Sequence, residues 1–259
     1  MRPKRAKMCF VGLIPARYGS TRFTGKPLAL IGGKPMIEWV YRQAAQALDC
    51  LYVATDDERI QTAVQAFGGN VIMTDSSHRC GTDRLVEAAH LIGLSDSDIV
   101  INIQGDEPFV QPGQIEAIKR CFDLPDTQIA TLVKPFTEAD GLAALENPNT
   151  PKVIVNEDSM HALWFSRSVI PYLRGVDKGQ WLARHRYYKH IGMYAYPVAV
   201  LKAISALPPS PMEKAESLEQ LRWLENGYPI RVAVTEVETI GIDTPDDLVK
   251  ANQIINNLK

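Results

Sequence analysis

Apolar residues follow two patterns along this chain, and the two patterns alternate. Short continuous apolar runs, which are typical of buried strands, occur at 8–13, 51–55, 71–73, 98–104, 128–133 and 230–234. Between several of these runs, apolar residues recur at helical spacing, as at Ile37, Val40, Ala44 and Leu48. Strands and helices that alternate in this way predict an α/β fold, in which helices flank a mostly parallel sheet with right-handed crossovers.

The pattern changes in the second half of the chain. Residues 152–156 and 160–166 are two strand-like runs on either side of an acidic turn. They predict an antiparallel hairpin, and therefore an excursion from the main sheet. Residues 175–188 are polar and predict a mobile loop, whereas 211–225 predict one amphipathic helix.

Length and composition indicate one globular domain over 1–259. Hydrophobic residues make up 46% of the 259 residues and charged residues 22%, enough to fill a large α/β core. The formal net charge of −2 argues against a nucleic-acid partner. No run approaches the roughly 20 apolar residues of a membrane span, and the basic residues 1–7 lack the apolar region of a secretion signal. The four cysteines are widely spaced without a C-x-x-C pair, so we expect no zinc site, no disulfide framework and a reducing cytoplasm.

The segment after the first predicted strand has the composition of an anion-binding loop. Within it, the cations Arg17, Arg22 and Lys26 alternate with glycine and hydroxyl residues. Such a loop leaves backbone N–H groups available to a ligand while the cations converge on it, which suits the triphosphate of a nucleotide. Neither G-x-G-x-x-G nor the Walker pattern is present, since Pro27 follows Lys26 where the Walker pattern requires Ser or Thr. A solvated basic turn is the structural alternative.

Carboxylates follow the predicted central strand at 98–104. Asp106 and Glu107 stand at its end, where a carboxylate is costly unless it is hydrated, paired or bound to a metal. Mg²⁺ held together with nucleotide phosphates is a frequent solution, and a turn with a capping aspartate is the alternative. Near the end of the chain, Thr244 predicts a capped helix and leaves Asp243 just ahead of the cap.

Several segments together resemble one family, the sugar nucleotidyltransferases that activate 3-deoxy-manno-octulosonate (Kdo) with CTP. The segments are P-A-R-Y-G-S-T-R-F-T-G-K-P-L at 15–28, H-R-C-G-T-D-R at 78–84, Q-G-D-E-P at 104–108, F-S-R-S-V-I-P at 165–171, H-I-G-M-Y-A-Y at 190–196, E-Q-L-R at 219–222 and G-I-D-T-P-D-D-L at 241–248. Three positions depart from the family's pattern. Thr24 stands in a usual proline place, Cys80 replaces the usual serine, and Lys189 stands where arginine is common.

The resemblance implies a Rossmann-like fold of the nucleotide-diphospho-sugar transferase type. On this basis residues 8–150 are expected to bind the nucleotide, and 151–235 to bind the sugar and form a homodimer. Residues 236–259 are expected to complete the metal motif and add a closing helix. The hairpin at 152–166 and the helix at 211–225 are our candidates for the dimer interface.

The resemblance also implies individual roles. Catalysis is assigned to Asp106, Asp243, Lys26 and Arg17, with Asp106 and Asp243 as the ligands of Mg²⁺. Nucleotide contacts are assigned to Pro15, Ala16, Arg17, Ser20, Thr21, Arg22, Lys26, Cys80, Gly81, Thr82, Arg84 and Gln104. Sugar-acid contacts are assigned to Arg167, Arg174, His190, Tyr194, Glu219 and Gln220, whereas Glu213 and Glu216 are expected to be solvated.

The implied reaction transfers CMP from CTP to the anomeric hydroxyl of Kdo, giving CMP-Kdo and pyrophosphate for lipopolysaccharide synthesis. The same chemistry on 8-amino-Kdo or on another sugar acid, such as a sialic acid, is the nearest alternative. A sensor that binds nucleotide or sugar without catalysis is an alternative of another class. The presence of both aspartates and all three loop cations argues against that sensor.

Overall fold

The computed structural model describes residues 8–19, 23–78, 80–238 and 241–257. Its strands are β1 (Phe10–Ala16), β2 (Leu30–Ile31), β3 (Lys34–Pro35), β4 (Cys50–Thr55), β5 (Val71–Met73), β6 (Ile99–Asn102), β7 (Ile129–Pro135), β8 (Lys152–Asn156), β9 (His161–Ser166), β10 (Tyr188–Pro197) and β11 (Ile230–Val234). Its helices are α1 (Met36–Ala44), α2 (Glu58–Ala66), α3 (Gly81–Leu91), α4 (Pro112–Arg120), α5 (Gly141–Glu146), α6 (Trp181–Arg184), α7 (Val198–Ser205), α8 (Pro211–Glu216), α9 (Glu219–Glu225) and α10 (Pro245–Asn257). The predicted α/β alternation is confirmed.

The chain forms two compact units. The first unit comprises residues 1–116, 195–205 and 239–259, and the second comprises 117–194 and 206–238. The division therefore falls near residue 116 in the structure, whereas the sequence placed the change of character near 150. The reason is that β7 pairs in parallel with β11, so it groups with the later strands.

A parallel sheet forms the centre of the first unit, with strand order β5-β4-β1-β6. In the middle of β1, Leu13 lies opposite Tyr52 of β4 on one side and Asn102 of β6 on the other. Both α1 and α3 pack on β1. Because the four strands run in the same direction, the loop after β1 and the turn after β6 emerge at one edge, where ligands of such sheets bind.

Apolar spacing explains the helices of the first unit. The inner face of α1 consists of four fully buried residues, Met36, Ile37, Val40 and Ala44. The predicted cap of α10 is confirmed, since the Asp247 carboxylate accepts hydrogen bonds from the backbone N–H and the hydroxyl of Thr244, at 3.0 and 2.8 Å.

Periodicity does not identify two small features of this unit. Strands β2 and β3 form a hairpin of two-residue strands, too short to show any period. Its turn residues Gly32 and Gly33 have φ of 56° and 87°, which a glycine pair adopts without strain. Helix α7 directly follows β10, so its apolar residues read as a continuation of that strand.

The second unit contains a mixed sheet. Strands β7 and β11 are parallel, β11 and β9 are antiparallel, and β9 and β8 are antiparallel. Strand β8 also pairs briefly with β10, with Val153 opposite Tyr188. The predicted antiparallel hairpin at 152–166 is confirmed.

Two expectations for the second unit are wrong. The polar stretch 175–188 contains a 3-10 turn (Lys178–Gln180) and α6, because Trp181 is buried with Phe136, Leu145 and Tyr187 and fixes the segment. The single helix expected at 211–225 is two helices, α8 and α9, separated at Ser217.

Candidate functional site

Three of the predicted catalytic side chains meet in the first unit. The Nζ atom of Lys26 lies 2.6 Å from Oδ2 of Asp106 and 3.2 Å from Oδ1 of Asp243. Lys26 opens the 3-10 turn after the loop, Asp106 follows β6, and Asp243 precedes α10. Residues separated by up to 217 positions in the chain therefore converge on one ammonium group.

Backbone contacts explain how these residues come together. A Cβ atom at Gly105 would lie 2.9 Å from the carbonyl oxygen of Pro15, so only glycine permits this close approach of the β6 turn to β1. The N–H of Ile242 donates to the carbonyl of Asp106 at 2.9 Å. Ile242 is itself fully buried. The segment that carries Asp243 is thereby held beside Asp106.

The arrangement of carboxylates fits a divalent cation that is shared with a ligand. The ammonium of Lys26 occupies the position between Asp106 and Asp243, which shows that both carboxylates reach one cation. Within the described part of the chain, no group of three or more histidine, cysteine or acidic residues could hold a metal by itself. Two carboxylates with the remaining positions left for phosphate and water is the pattern that Mg²⁺ prefers.

Arg17 connects the end of β1 to the segment before α3. Its Nη2 donates to the carbonyl of His78 and, at 3.4 Å, to the carbonyl of Cys80. His78 in turn contacts the carboxylate of Glu87 on α3. Burial opposes ionisation of Glu87, but the His78 contact and a backbone N–H hold its pKa below the usual range. Arg17 therefore holds His78 and Cys80 near the end of β1, and its expected contact with the nucleotide stays a prediction.

The start of α3 lies next to the end of β1. Cys80 takes the N-cap position, and the Cα of Gly81 faces the ring of Pro15. Thr82 and Ala16 are buried, whereas Gln104 is partly exposed in the β6 turn. Ser20, Thr21 and Arg22 lie outside the described residues.

Arg84 does not belong to the nucleotide-binding set. Its side chain is fully buried, and its guanidinium is held by the Asp56 carboxylate at 2.9 Å and by the Thr74 hydroxyl. Because the guanidinium is already paired with Asp56 and Thr74 inside the core, it is not available to a nucleotide, and we correct this assignment. Arg84 forms an ion pair with Asp56, which joins α3 to the end of β4.

His190 lies on β10 in the second unit. Its Nε2 is 2.9 Å from the Thr131 hydroxyl, and its ring contacts those of Phe165 and Tyr194. Burial lowers the pKa of His190 to about 4, so the imidazole is neutral near pH 7. The ring can donate or accept one hydrogen bond to a ligand, but it carries no charge.

Helix α9 lies against this aromatic cluster. The ring of Tyr194 packs edge-on against Trp223 at 5.0 Å. At the start of α9, Gln220 is buried, and its Nε2 has no hydrogen-bond partner in the described residues. The Glu219 carboxylate lies 2.6 Å from the guanidinium of Arg222. His190 and Tyr194 are thus brought together with α9, and their contacts with the sugar acid stay predictions.

The two arginines expected at the sugar differ in their surroundings. Arg174 is exposed. The guanidinium of Arg167 is occupied by three backbone carbonyls, those of Pro148, Glu216 and Ser217. The sugar contacts of both arginines stay predictions.

The structure reveals polar contacts that sequence reasoning missed. Glu216 is not solvated as expected, because its carboxylate accepts hydrogen bonds from the Ser166 hydroxyl and the Arg167 N–H at 2.6 and 2.8 Å. Glu213 forms a capping box with Ser210 at the start of α8. No local pattern announces the Glu216 contact, since its partners lie about 50 positions earlier in the chain.

The described part of the chain contains no helix that is both long and apolar enough to cross a membrane.

Comparison with known proteins identifies the family. The cytidylyltransferase family model matches residues 11–239. The 3-deoxy-manno-octulosonate cytidylyltransferase of Bacteroides thetaiotaomicron is 61% identical over 250 residues, which cover 96% of this chain and 99% of the relative. The enzyme of the same name from Phocaeicola vulgatus is 62% identical over 248 residues, which cover 96% of this chain and 98% of the relative.

One solved structure supports this family, and a second shares the fold. A CMP:2-keto-3-deoxy-manno-octonic acid synthetase complexed with CTP matches with a TM-score of 0.87 and 45% identity, over 97% of this chain and 100% of that one. A cytidylyltransferase from Leptospira borgpetersenii, 14% identical with a TM-score of 0.58 over 97% of this chain and 95% of that one, shares the fold. The chain therefore belongs to the cytidylyltransferase family and, within it, to the 3-deoxy-manno-octulosonate cytidylyltransferases, which are nucleotidyltransferases.

Proposed function

We propose that this protein transfers CMP from CTP to the anomeric hydroxyl of Kdo, giving CMP-Kdo and pyrophosphate. The convergence of Lys26, Asp106 and Asp243 is the observation that carries the proposal. A cation flanked by two carboxylates at the carboxyl edge of a parallel sheet suits a nucleoside triphosphate with Mg²⁺. The names of the relatives and the CTP-complexed structural neighbour support the choice of cytidine nucleotide and sugar.

The reaction displaces pyrophosphate at the α-phosphorus of CTP. The anomeric oxygen of the sugar forms a bond to the α-phosphorus, the bond to the bridging β-phosphate oxygen breaks, and the hydroxyl proton passes to solvent. Asp106 and Asp243 are the residues that would hold Mg²⁺, and the ion would supply neutralisation of phosphate charge and a lower pKa for the attacking hydroxyl. The Lys26 ammonium, which lies beside both carboxylates, would stabilise the charge of the phosphates. Arg17, which donates to the carbonyls of His78 and Cys80, would hold these two residues in place for the base.

The side chains of the second unit suit a polyhydroxylated sugar acid. His190, Tyr194 and Gln220 would offer neutral groups to sugar hydroxyls, and Arg174 is an exposed cation suited to a carboxylate. We further propose that the protein acts as a homodimer in the cytoplasm and supplies lipopolysaccharide synthesis.

Pyrophosphate release tests the reaction. Purified protein with Mg²⁺ and Kdo is expected to release pyrophosphate with CTP, and not with UTP, ATP or dTTP, and EDTA is expected to abolish release. Parallel assays with 8-amino-Kdo and a sialic acid identify the preferred sugar. Absence of pyrophosphate release with CTP and each of the three sugars would overturn the proposal.

A matched pair of variants tests the metal site. Asp106→Asn removes one carboxylate charge and is expected to lower kcat by about 10³-fold, because the site loses several kcal/mol of charge stabilisation. Asp246→Asn makes the same change at an exposed position in the first turn of α10 and is expected to retain full activity. Wild-type activity of Asp106→Asn would contradict the assignment of Asp106 as a metal ligand.

A further inference from the structure

The turn between α8 and α9 has an unusual backbone conformation. Ser217 has φ of 51° and ψ of 48°, the left-handed region that a residue with a Cβ adopts only when its surroundings enforce it. Two residues later α9 begins with Glu219 and Gln220, the pair expected to face the sugar. The conformation of Ser217 therefore sets the direction in which these two side chains leave the backbone.

Arg167 encloses this turn. Its Nε donates to the carbonyl of Glu216 at 2.6 Å, and its Nη2 to the carbonyl of Ser217 at 3.3 Å. Its Nη1 donates to the carbonyl of Pro148 at 2.9 Å. Helix α8 ends at Glu216, so two of these carbonyls lack a partner within the helix and are satisfied by the guanidinium instead.

The carboxylate of Glu216 binds in return to residues at the end of β9. Its Oε1 accepts from the hydroxyl of Ser166 at 2.6 Å, and its Oε2 accepts from the backbone N–H of Arg167 at 2.8 Å. The end of β9 and the end of α8 are thus joined by reciprocal hydrogen bonds, which we name the Arg167–Glu216 clamp. Bonds that involve a charged group are stronger than neutral ones, so the clamp is able to hold a strained turn.

Gln220, which follows the turn that the clamp holds, has a buried hydrogen-bond donor. Its side chain is 5% exposed, and its Nε2 has no hydrogen-bond partner within the described chain. A buried donor without a partner is unfavourable, and a bound ligand that accepts from it removes the penalty.

We infer that Glu216 is a positioning residue for the sugar acid, and that Arg167 acts with it through the clamp rather than by touching the sugar. The inference rests on the proposed function, because the ligand that meets Gln220 is taken to be the sugar acid. It assigns Glu216 a role that the sequence motifs do not announce, and it changes the expected role of Arg167.

Kinetics of Glu216→Gln test the inference. The variant retains the size of the side chain, but its amide NH2 replaces one of the two acceptors. We expect the KM for the sugar acid to rise about tenfold, equivalent to one lost hydrogen bond, while the KM for CTP and the melting temperature stay near wild type. Glu225→Gln, the same change at the exposed end of α9, is the control and is expected to match wild type.

The double variant separates positioning from direct contact. The double variant carries both Arg167→Ala and Glu216→Gln. If Arg167 and Glu216 act as one clamp, its KM for the sugar acid is expected to be close to the higher of the KM values of the two single variants. If the fold increases in KM of the two single variants instead multiply in the double variant, Arg167 contacts the sugar independently, and its part of the inference is overturned.

Hydrogen exchange provides a readout that does not depend on activity. In the protein without substrates, Glu216→Gln is expected to accelerate amide exchange at 217–221 relative to both wild type and Glu225→Gln. Wild-type exchange together with a wild-type sugar KM would overturn the clamp. If wild type is inactive with every sugar acid but exchange still accelerates, the proposed function fails and the clamp stands.

Discussion

At the scale of single residues, His190 shows how burial determines chemistry. The neighbouring Thr131 hydroxyl and the rings of Phe165 and Tyr194 surround the imidazole without supplying a carboxylate. The folded protein therefore disfavours the charged form and lowers the pKa of His190 to about 4 from an ordinary value of 6.5. His190 is accordingly suited to neutral hydrogen bonding rather than to proton transfer at pH 7.

This pKa shift predicts a pH dependence of stability. Because the unfolded chain binds a proton at His190 near pH 6.5 and the folded chain only near pH 4, the free energy of unfolding falls as pH falls through that window. The contribution is about 3 kcal/mol at most. Urea unfolding of wild type and His190→Gln between pH 4.5 and 7.5 measures it, and the variant is expected to show a shallower slope.

An exposed histidine supplies the control for this prediction. His90→Gln, at the end of α3, is expected to retain the wild-type slope. Equal slopes in wild type and His190→Gln would contradict the assignment of the effect to His190.

At the scale of elements, Lys189 joins three segments of the second unit. Its Nζ lies 3.2 Å from Asp140, at the end of a 3-10 turn, and 2.5 Å from Glu238, after β11. Burial would raise the pKa of Asp140, but hydrogen bonds from Thr137 and Lys189 lower it to about 2. Lys189 itself is almost fully buried on β10, whereas Glu238 is exposed, so this ion-pair network runs from the core to the surface.

Loss of the buried ammonium is expected to destabilise the protein. Lys189→Met removes the cation that Asp140 and Glu238 share, although Lys134 still pairs with the exposed Glu238 at 3.2 Å. We expect the variant to lose about 2 kcal/mol in the free energy of unfolding at pH 7, mainly at Asp140. Lys189→Arg preserves the charge and is expected to retain most of the stability. Denaturant unfolding measures both variants.

Lys202→Met is the matched control for this network. Lys202 forms an exposed ion pair with Asp96 at 2.8 Å, and its loss is expected to cost less than about 1 kcal/mol. A similar cost for Lys189→Met would show that the buried network contributes no more than a surface pair.

At the scale of the whole molecule, ligand binding is expected to raise the melting temperature. A ligand at 100 times its Kd stabilises the folded state by about 2.7 kcal/mol, which corresponds to roughly 5–10 °C for a chain of this size. We expect Mg²⁺ with CTP to produce such a shift, and Asp106→Asn or EDTA to remove most of it. An equal shift with Mg²⁺ and ATP, or in EDTA, would contradict the proposed nucleotide and metal specificity.

Local patterns were sufficient for much of the fold and for part of the site. Strand β5 and strand β11 have the predicted bounds, and the capping box of Thr244 and Asp247 starts α10 as predicted. These features depend on residues within a few positions of one another, so the sequence contains the information directly. Lys26, Asp106 and Asp243 were likewise identified from their motifs, although nothing in the motifs specifies that they meet.

The limits of sequence reasoning appear where partners are distant in the chain. Arg84 stands in a nucleotide-type motif, but Asp56 and Thr74 bury it in the core. Glu216 has the spacing of a solvated helical residue, but Ser166 binds it. In both cases the local pattern is compatible with two environments, and the packing of other segments selects one of them.

The sequence by itself determined the α/β alternation, the family and the residues that carry charge to the proposed site. Periodicity, capping and motif spacing are local properties, and the chain displays them without folding. Only the tertiary structure decided that one ammonium lies between Asp106 and Asp243, that a clamp holds the strained Ser217, and that His190 is neutral. Distances and burial depend on contacts between residues far apart in the chain, and those contacts exist only once the chain has folded.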